Sequence, residues 1–178
     1  AHTQRVVEKS LELAESSDFT DDDKENLQLA AWFHDTGYTV NINNHEDESI
    51  KFATGFLKAE NFDAARIDIV CAIIASTKMG VTPQNLSEQI IRDADCSHLG
   101  SKNYSDYTTL LRKEWELTQN KKVSDADWLQ ENINFLMNKH RFYTDVATKK
   151  WGKQKSKNIA QLLKQQTKHK EQSTKLKQ

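Results

Sequence analysis

At 178 residues, 37% of them hydrophobic and 29% charged, the chain is long enough to bury a real core and polar enough to be a soluble globular domain. No apolar run nears the ~20 residues of a membrane-spanning helix, and the polar first residues do not read as a signal peptide. The net charge of −1 hides a division: residues 149–178 hold ten lysines and one acid, giving +9, and the rest of the chain carries −10. So acidic a body excludes broad nucleic-acid binding, which needs a positive face. Two cysteines, Cys71 and Cys96, fall in apolar helical settings and are expected to be buried thiols in a reducing cytoplasm. The chain starts at Ala1, with a metal-competent histidine at its second position, so the native protein is expected to continue upstream.

Five glycines and one proline leave little punctuation for a sheet, and the apolar periodicities are helical throughout. Residues 3–17 place Val6, Val7, Leu11, Leu13 and Ala14 along one stripe. Thr20 is a plausible N-cap for the next helix, with Asp21, Asp22 and Asp23 in its first turn, where acids favour the helix dipole. The latter half of this helix (Leu27, Leu29, Ala30, Ala31, Trp32, Phe33) is apolar almost all round, which predicts a central buried helix. After a polar loop from Thr39 to Asn44, a third helix carries Ile50, Ala53, Phe56 and Leu57 at helical spacing. A fourth spans Asp63 to Ser76. Met79 to Leu86 form a connector, and Ser87 opens a fifth helix to about Leu99. Beyond Gly100 a helix is expected around Asp106–Gln119, then a turn at Asn120 to Val123. Ser124 opens a further helix to about His140. The stretch from Tyr143 is helix-compatible but increasingly polar, anchored by Trp151, Ile159, Leu162, Leu163 and Leu176, and would be marginal as an isolated helix. The reading is an all-α bundle over residues 1–148 with a Lys/Gln-rich extension over 149–178.

The dipeptide His34-Asp35 follows directly on the most apolar stretch, just before Gly37, which can end the helix. Two such side chains rarely enter an interior without a partner, and a divalent cation satisfies both. His2 and Asp95 can complete a set of two imidazoles and two carboxylates drawn from three helices. Such a set suits an ion that keeps positions open for water and a substrate oxygen. Asp35 could ligate with one oxygen and orient water with the other. Tyr104, Tyr107, Trp115 and Trp128 read as core or rim aromatics, not base-stacking platforms.

The order His2, His34-Asp35, Asp95 resembles the HD superfamily of metal-dependent phosphohydrolases, over roughly residues 1–145. The resemblance implies an all-α fold, a divalent metal (Mn, Fe, Mg, Ni or Zn) and hydrolysis of a phosphomonoester or phosphodiester, usually of a nucleotide. The family's last motif, Ala-Asp, aligns with Ala94-Asp95, so Asp95 is favoured over Asp93 as the ligand. In two-metal members, a histidine at the place of His45 binds a second ion, with further histidines in the following helix. Here Ser76, Thr77 and Lys78 stand there instead, which implies a mononuclear site. His45 or Glu46 could then serve as general base or phosphate contact, and Lys78 could neutralise substrate phosphate. Asp93, Glu46 and His98 are candidates for supporting the ligands, and Arg112 for reaching the substrate. The catalytic set so read is Asp35, His45 and Lys78.

The stretches HTQRVVEKSLELA, LAAWFHDTGY, DADCSHLGSKNY and LLRKEWEL are also similar to the HD domain that precedes membrane segments in some bacterial Pycsar-type antiphage effectors. That similarity implies a cyclic-nucleotide context and a basic extension near anionic headgroups, on a cytosolic and possible oligomeric domain. A regulatory module that binds metal or nucleotide without turnover is the competing expectation.

Overall fold

The computed structural model describes residues 2–118 and 122–175. Among these there is no strand. The chain is all-α, as its periodicities predict, and its core contacts divide it into two compact units. Gln119, Asn120 and Leu176, named above in a helix end, a turn and an anchor, lie outside the described residues.

The first unit comprises residues 1–97 and 143–147. It holds α1 (His2–Ala14), α2 (Asp21–Phe33), α3 (His45–Ala59), α4 (Ala64–Ala75) and α5 (Leu86–Asp95). α1 packs on α2 and α5, α2 on α4, and α3 on α4. Val6, Val7, Leu13, Leu27, Ala30, Ala31, Ile73, Ile74, Ile90 and Ile91 fill the space between them. Each fully buried aliphatic side chain contributes roughly 1.5–3 kcal/mol, so these helices are held by tertiary burial more than by propensity.

Helix ends are fixed by side chains. Thr20 and Asp23 form a reciprocal capping box: the Asp23 amide donates to Thr20 Oγ1 at 3.1 Å and the Thr20 amide to Asp23 Oδ2 at 3.0 Å. Such a cap is worth about 1 kcal/mol. Asp63 caps α4 by accepting from the Arg66 amide, and Asn85 caps α5 by accepting from the Glu88 amide, without the reciprocal bond. The cap at Asn85 starts α5 before Ser87. The helix also ends earlier than expected, at Asp95, where the chain tightens into a 3-10 turn over Cys96–Gly100. Nor is α2 buried all round: Trp32 is 48% exposed, because α1 and α4 cover only the face of Leu27, Ala30 and Ala31. Neither Cys71 nor Cys96 forms a disulfide, and both are half-buried instead of buried.

After α2 comes a 3-10 turn, Thr36–Thr39, in which Gly37 is buried against the start of α3. A Cβ on Gly37 would overlap the His45 carbonyl oxygen and lie 2.7 Å from the Ser49 amide nitrogen. Glycine is thus required by close approach of two backbones. Ser49 locks the junction: the Gly37 amide donates to its Oγ at 2.9 Å, and the hydroxyl donates to the His34 carbonyl at 2.7 Å. The segment carrying His34-Asp35 is therefore tied directly to the start of the helix carrying His45.

The second unit comprises residues 98–142 and 148–178. It contains α6 (Tyr104–Thr118), α7 (Asp125–Asn134) and most of α8 (Asp145–Lys175). α7 widens into a π turn over Phe135–Lys139. The Asn158 amide donates to the Leu99 and Ser101 carbonyls, both at 2.9 Å, and Gly100 packs against the backbone of Trp151. Tyr104 is buried and donates to Asn132 Oδ1 at 2.6 Å, while Trp115 and Trp128 meet edge to face. The polar C-terminal stretch is thus helical to Lys175, anchored by Trp151 and Asn158. No helix among the described residues is long and apolar enough to cross a membrane.

Candidate metal centre

Three helix ends meet in the first unit. His2 stands in the first turn of α1, His34 and Asp35 follow the last residue of α2, and Asp95 is the last residue of α5. His2 Nε2 lies 3.3 Å from His34 Nε2, 3.1 Å from Asp35 Oδ2 and 3.2 Å from Asp95 Oδ1. His34 Nε2 lies 3.2 Å from Asp35 Oδ2. Donor atoms sharing one ion at bond lengths of about 2.1 Å stand about 3 Å apart at right angles, so these separations fit a shared cation. The ligand atoms of His2, His34 and Asp35 all lie within 4.8 Å of one another, and Asp95 joins this group of three through its approach to His2 Nε2. Two nitrogens and two or more carboxylate oxygens are a donor set for a borderline or hard divalent metal.

His34 is 1% exposed, and its Nδ1 donates to the Ala31 carbonyl at 2.9 Å, which turns Nε2 toward the cluster. A histidine ligand is normally oriented by such a bond from its other nitrogen. His45 follows the same pattern, donating from Nδ1 to the Ile42 carbonyl at 3.1 Å. Its Nε2 lies 3.7 Å from Asp35 Oδ1 and 3.5 Å from Glu46 Oε1, and Tyr38 stacks on its ring at 3.8 Å. Glu46 is buried beside it.

Burial works against charge on His34 and on His2, but hydrogen bonds to Asp35, and for His2 also to Asp95, outweigh it and raise both imidazoles above their ordinary pKa. Burial alone would likewise raise Asp35 and Asp95, yet hydrogen bonds and charge from His2 and His34 hold both carboxyls below the usual range. One contact opposes this at His2: Arg5 Nη2 stands 2.8 Å from its Nδ1. A guanidinium there disfavours a second ring proton, so the contact geometry fits a His2 protonated on Nε2 alone. His34, raised above its ordinary pKa beside Asp35, still holds a proton more firmly than free histidine does, and a cation must displace it. Binding that releases protons strengthens as pH rises. Mn²⁺ affinity is therefore expected to grow by about an order of magnitude between pH 6 and 8. Calorimetry in two buffers of different ionisation enthalpy reads the released protons directly, and a pH-independent affinity would contradict the cluster as drawn.

The other expected site residues are placed differently. Lys78 Nζ donates to Asn44 Oδ1 at 3.1 Å and Asp47 Oδ2 at 3.2 Å, beside the start of α3. Its loop is held by Arg92, whose Nη1 donates to the carbonyls of Ser76, Thr77 and Lys78. Asp93 does not support the ligands. It is fully buried and accepts from the Tyr143 amide, the Thr144 amide and Thr144 Oγ1 at 2.7, 2.8 and 2.8 Å. His98 and Arg112 belong to the second unit. His98 packs edge-on to Tyr107, and Arg112 pairs with Asp125 and donates to the Val123 carbonyl. Sequence reasoning missed Arg5 altogether: one turn from His2, it looks like any solvated helix arginine.

A family model for the HD domain matches residues 1–176, and the chain belongs to that family, whose members are typically metal-dependent phosphohydrolases. Searches of curated proteins and of solved structures returned no match.

Proposed function

We propose that this chain hydrolyses a phosphate ester, of a nucleotide or cyclic nucleotide, at a single divalent ion held by His2, His34, Asp35 and Asp95. The convergence of these four side chains from three helix ends is the observation that carries this reading. When bound, such an ion supplies Lewis-acid polarisation and a water acidic enough to ionise near neutral pH. Asp35 presents Oδ2 to the two imidazoles and Oδ1 to His45, so one carboxylate links the ligand set to a base. His45 Nε2, set between Asp35 and Glu46, is positioned to take the proton of the attacking water. Lys78 offers a cation to the phosphate as negative charge accumulates, and the Arg92 clamp keeps its loop in place. The oxygen–phosphorus bond forms as the ester bond breaks, and the leaving oxygen recovers a proton. With Ser76, Thr77 and Lys78 after α4 in place of histidines, the reading stays mononuclear.

The test is phosphate and nucleoside release from a panel of nucleoside monophosphates, triphosphates and cyclic nucleotides, with Mn²⁺ and with EDTA. Metal-dependent product from one class is expected. Tight nucleotide binding without product under any metal would instead mark a sensor.

A further inference from the structure

The three histidines around this centre are not held alike. Nδ1 of His34 and Nδ1 of His45 face backbone carbonyls, of Ala31 and Ile42. A carbonyl only accepts, so both Nδ1 atoms carry hydrogen, and both rings are set to ligate through Nε2 once any proton there has left. His2 is the reverse. Its Nδ1 faces Arg5 Nη2 at 2.8 Å, and a guanidinium only donates. The Nδ1 lone pair is therefore engaged, and the ring hydrogen lies on Nε2. That hydrogen points among Asp35 Oδ2, Asp95 Oδ1 and His34 Nε2, where a cation would sit.

We propose that Arg5 is a latch on the metal site: its guanidinium holds His2 in the tautomer that cannot ligate, so a cation enters only as Arg5 lets go of His2. A neutral imidazole that binds metal through Nε2 must carry its hydrogen on Nδ1, and there it would meet the Arg5 N–H head to head. Metal and guanidinium thus exclude each other at one ring. Arg5 also reaches the Asp95 carbonyl, at 3.5 Å, so the latch spans the two helices that bring His2 and Asp95 together. The inference rests on the metal-centre reading above. It makes Arg5 a positioning residue whose effect has an unusual sign: an arginine that merely oriented a ligand would weaken metal binding when removed, whereas a latch strengthens it.

The full chain is titrated with Mn²⁺ by calorimetry as wild type, Arg5→Gln and Arg5→Lys. Glutamine supplies an oxygen that accepts from His2 Nδ1–H, as the carbonyls do at His34 and His45, and is expected to tighten binding about tenfold. Lysine can only donate and should stay close to wild type. Binding by Arg5→Gln that equals or falls below wild type overturns the latch. A measurement on the unmutated protein guards against a misfolded variant: nitrogen-15 correlation of the His2 ring. It should report the hydrogen on Nε2 without metal and on Nδ1 after Mg²⁺ or Zn²⁺ is added, and a hydrogen on Nδ1 in the metal-free protein overturns the proposal. If wild type and Arg5→Gln both fail to bind any of these ions, the metal-centre reading falls and takes the latch with it.

Discussion

Replacing Asp35 by alanine is expected to abolish stoichiometric metal binding and to lower metal-dependent phosphate release by about a thousandfold or more. The expectation rests on the position of this one carboxylate. Its Oδ2 stands 3.1 Å from His2 Nε2 and 3.2 Å from His34 Nε2, and its Oδ1 faces His45 Nε2 at 3.7 Å. On the proposed reading, alanine removes a ligand, the negative charge that offsets the cation, and the link to the base together. Asparagine keeps the shape and one neutral oxygen, and should retain weak metal binding with most of the activity lost. Neither substitution should unfold the protein, because the Asp35 side chain is partly open to solvent and the Tyr38 amide donates to the Asp35 backbone carbonyl, which both substitutions keep. Elemental analysis of purified protein, read beside a melting curve, separates the outcomes. Full metal content and wild-type turnover in Asp35→Ala would remove the basis for treating this cluster as a catalytic centre.

Which parts of this site can be read from the chain follows from the range of the interactions. His34-Asp35 stands out because local sequence suffices: an apolar helix that runs into two ionisable side chains needs a partner for them. Asp95 is set apart from Asp93 by the Ala94-Asp95 motif of the family resemblance, not by the apolar face of α5, since Asp93 is the more buried of the two. The assignment of Asp93 as an outer support fails for a corresponding reason. Its partners Tyr143 and Thr144 lie some fifty residues away on a segment with no motif. Arg5 is illegible for the same cause, since its meaning depends on which nitrogen of His2 it meets. Gly37 shows an intermediate case. A glycine after a helix suggests an end signal, and the chain does turn there, but the stricter demand is the approach of the His45 carbonyl from α3. The early end of α5 at Asp95 was equally hidden, because Cys96, Ser97 and Leu99 continue an acceptable helical pattern. That early end places the Asp95 carboxylate at the same junction as the ends of α1 and α2.

The two acids of the DAD stretch should separate cleanly by experiment, one acting on stability and the other on metal. Asp93→Ala is expected to cost about 3–5 kcal/mol, lowering the melting temperature by roughly 10 °C. Burial pushes the Asp93 carboxyl up, and the hydrogen bonds from Tyr143 and Thr144 pull it back; alanine leaves the buried Thr144 amide and hydroxyl and the part-buried Tyr143 amide without their acceptor. Those bonds hold the 143–147 segment against α5, and Thr144 Oγ1 in turn accepts from the Ala147 amide in the first turn of α8 at 3.1 Å. Losing Asp93 therefore loosens a chain of contacts from α5 to the cap of α8. Asparagine is a poor rescue, since its amide would turn N–H groups toward one of the donors that the second carboxylate oxygen now satisfies. The folded fraction of Asp93→Ala should still bind metal, because His2, His34, Asp35 and Asp95 are untouched. Asp95→Ala should show the opposite: a melting temperature near that of metal-free wild type, and metal lost. A wild-type melting curve for Asp93→Ala, or loss of metal from it while fully folded, would reverse the roles of the two aspartates.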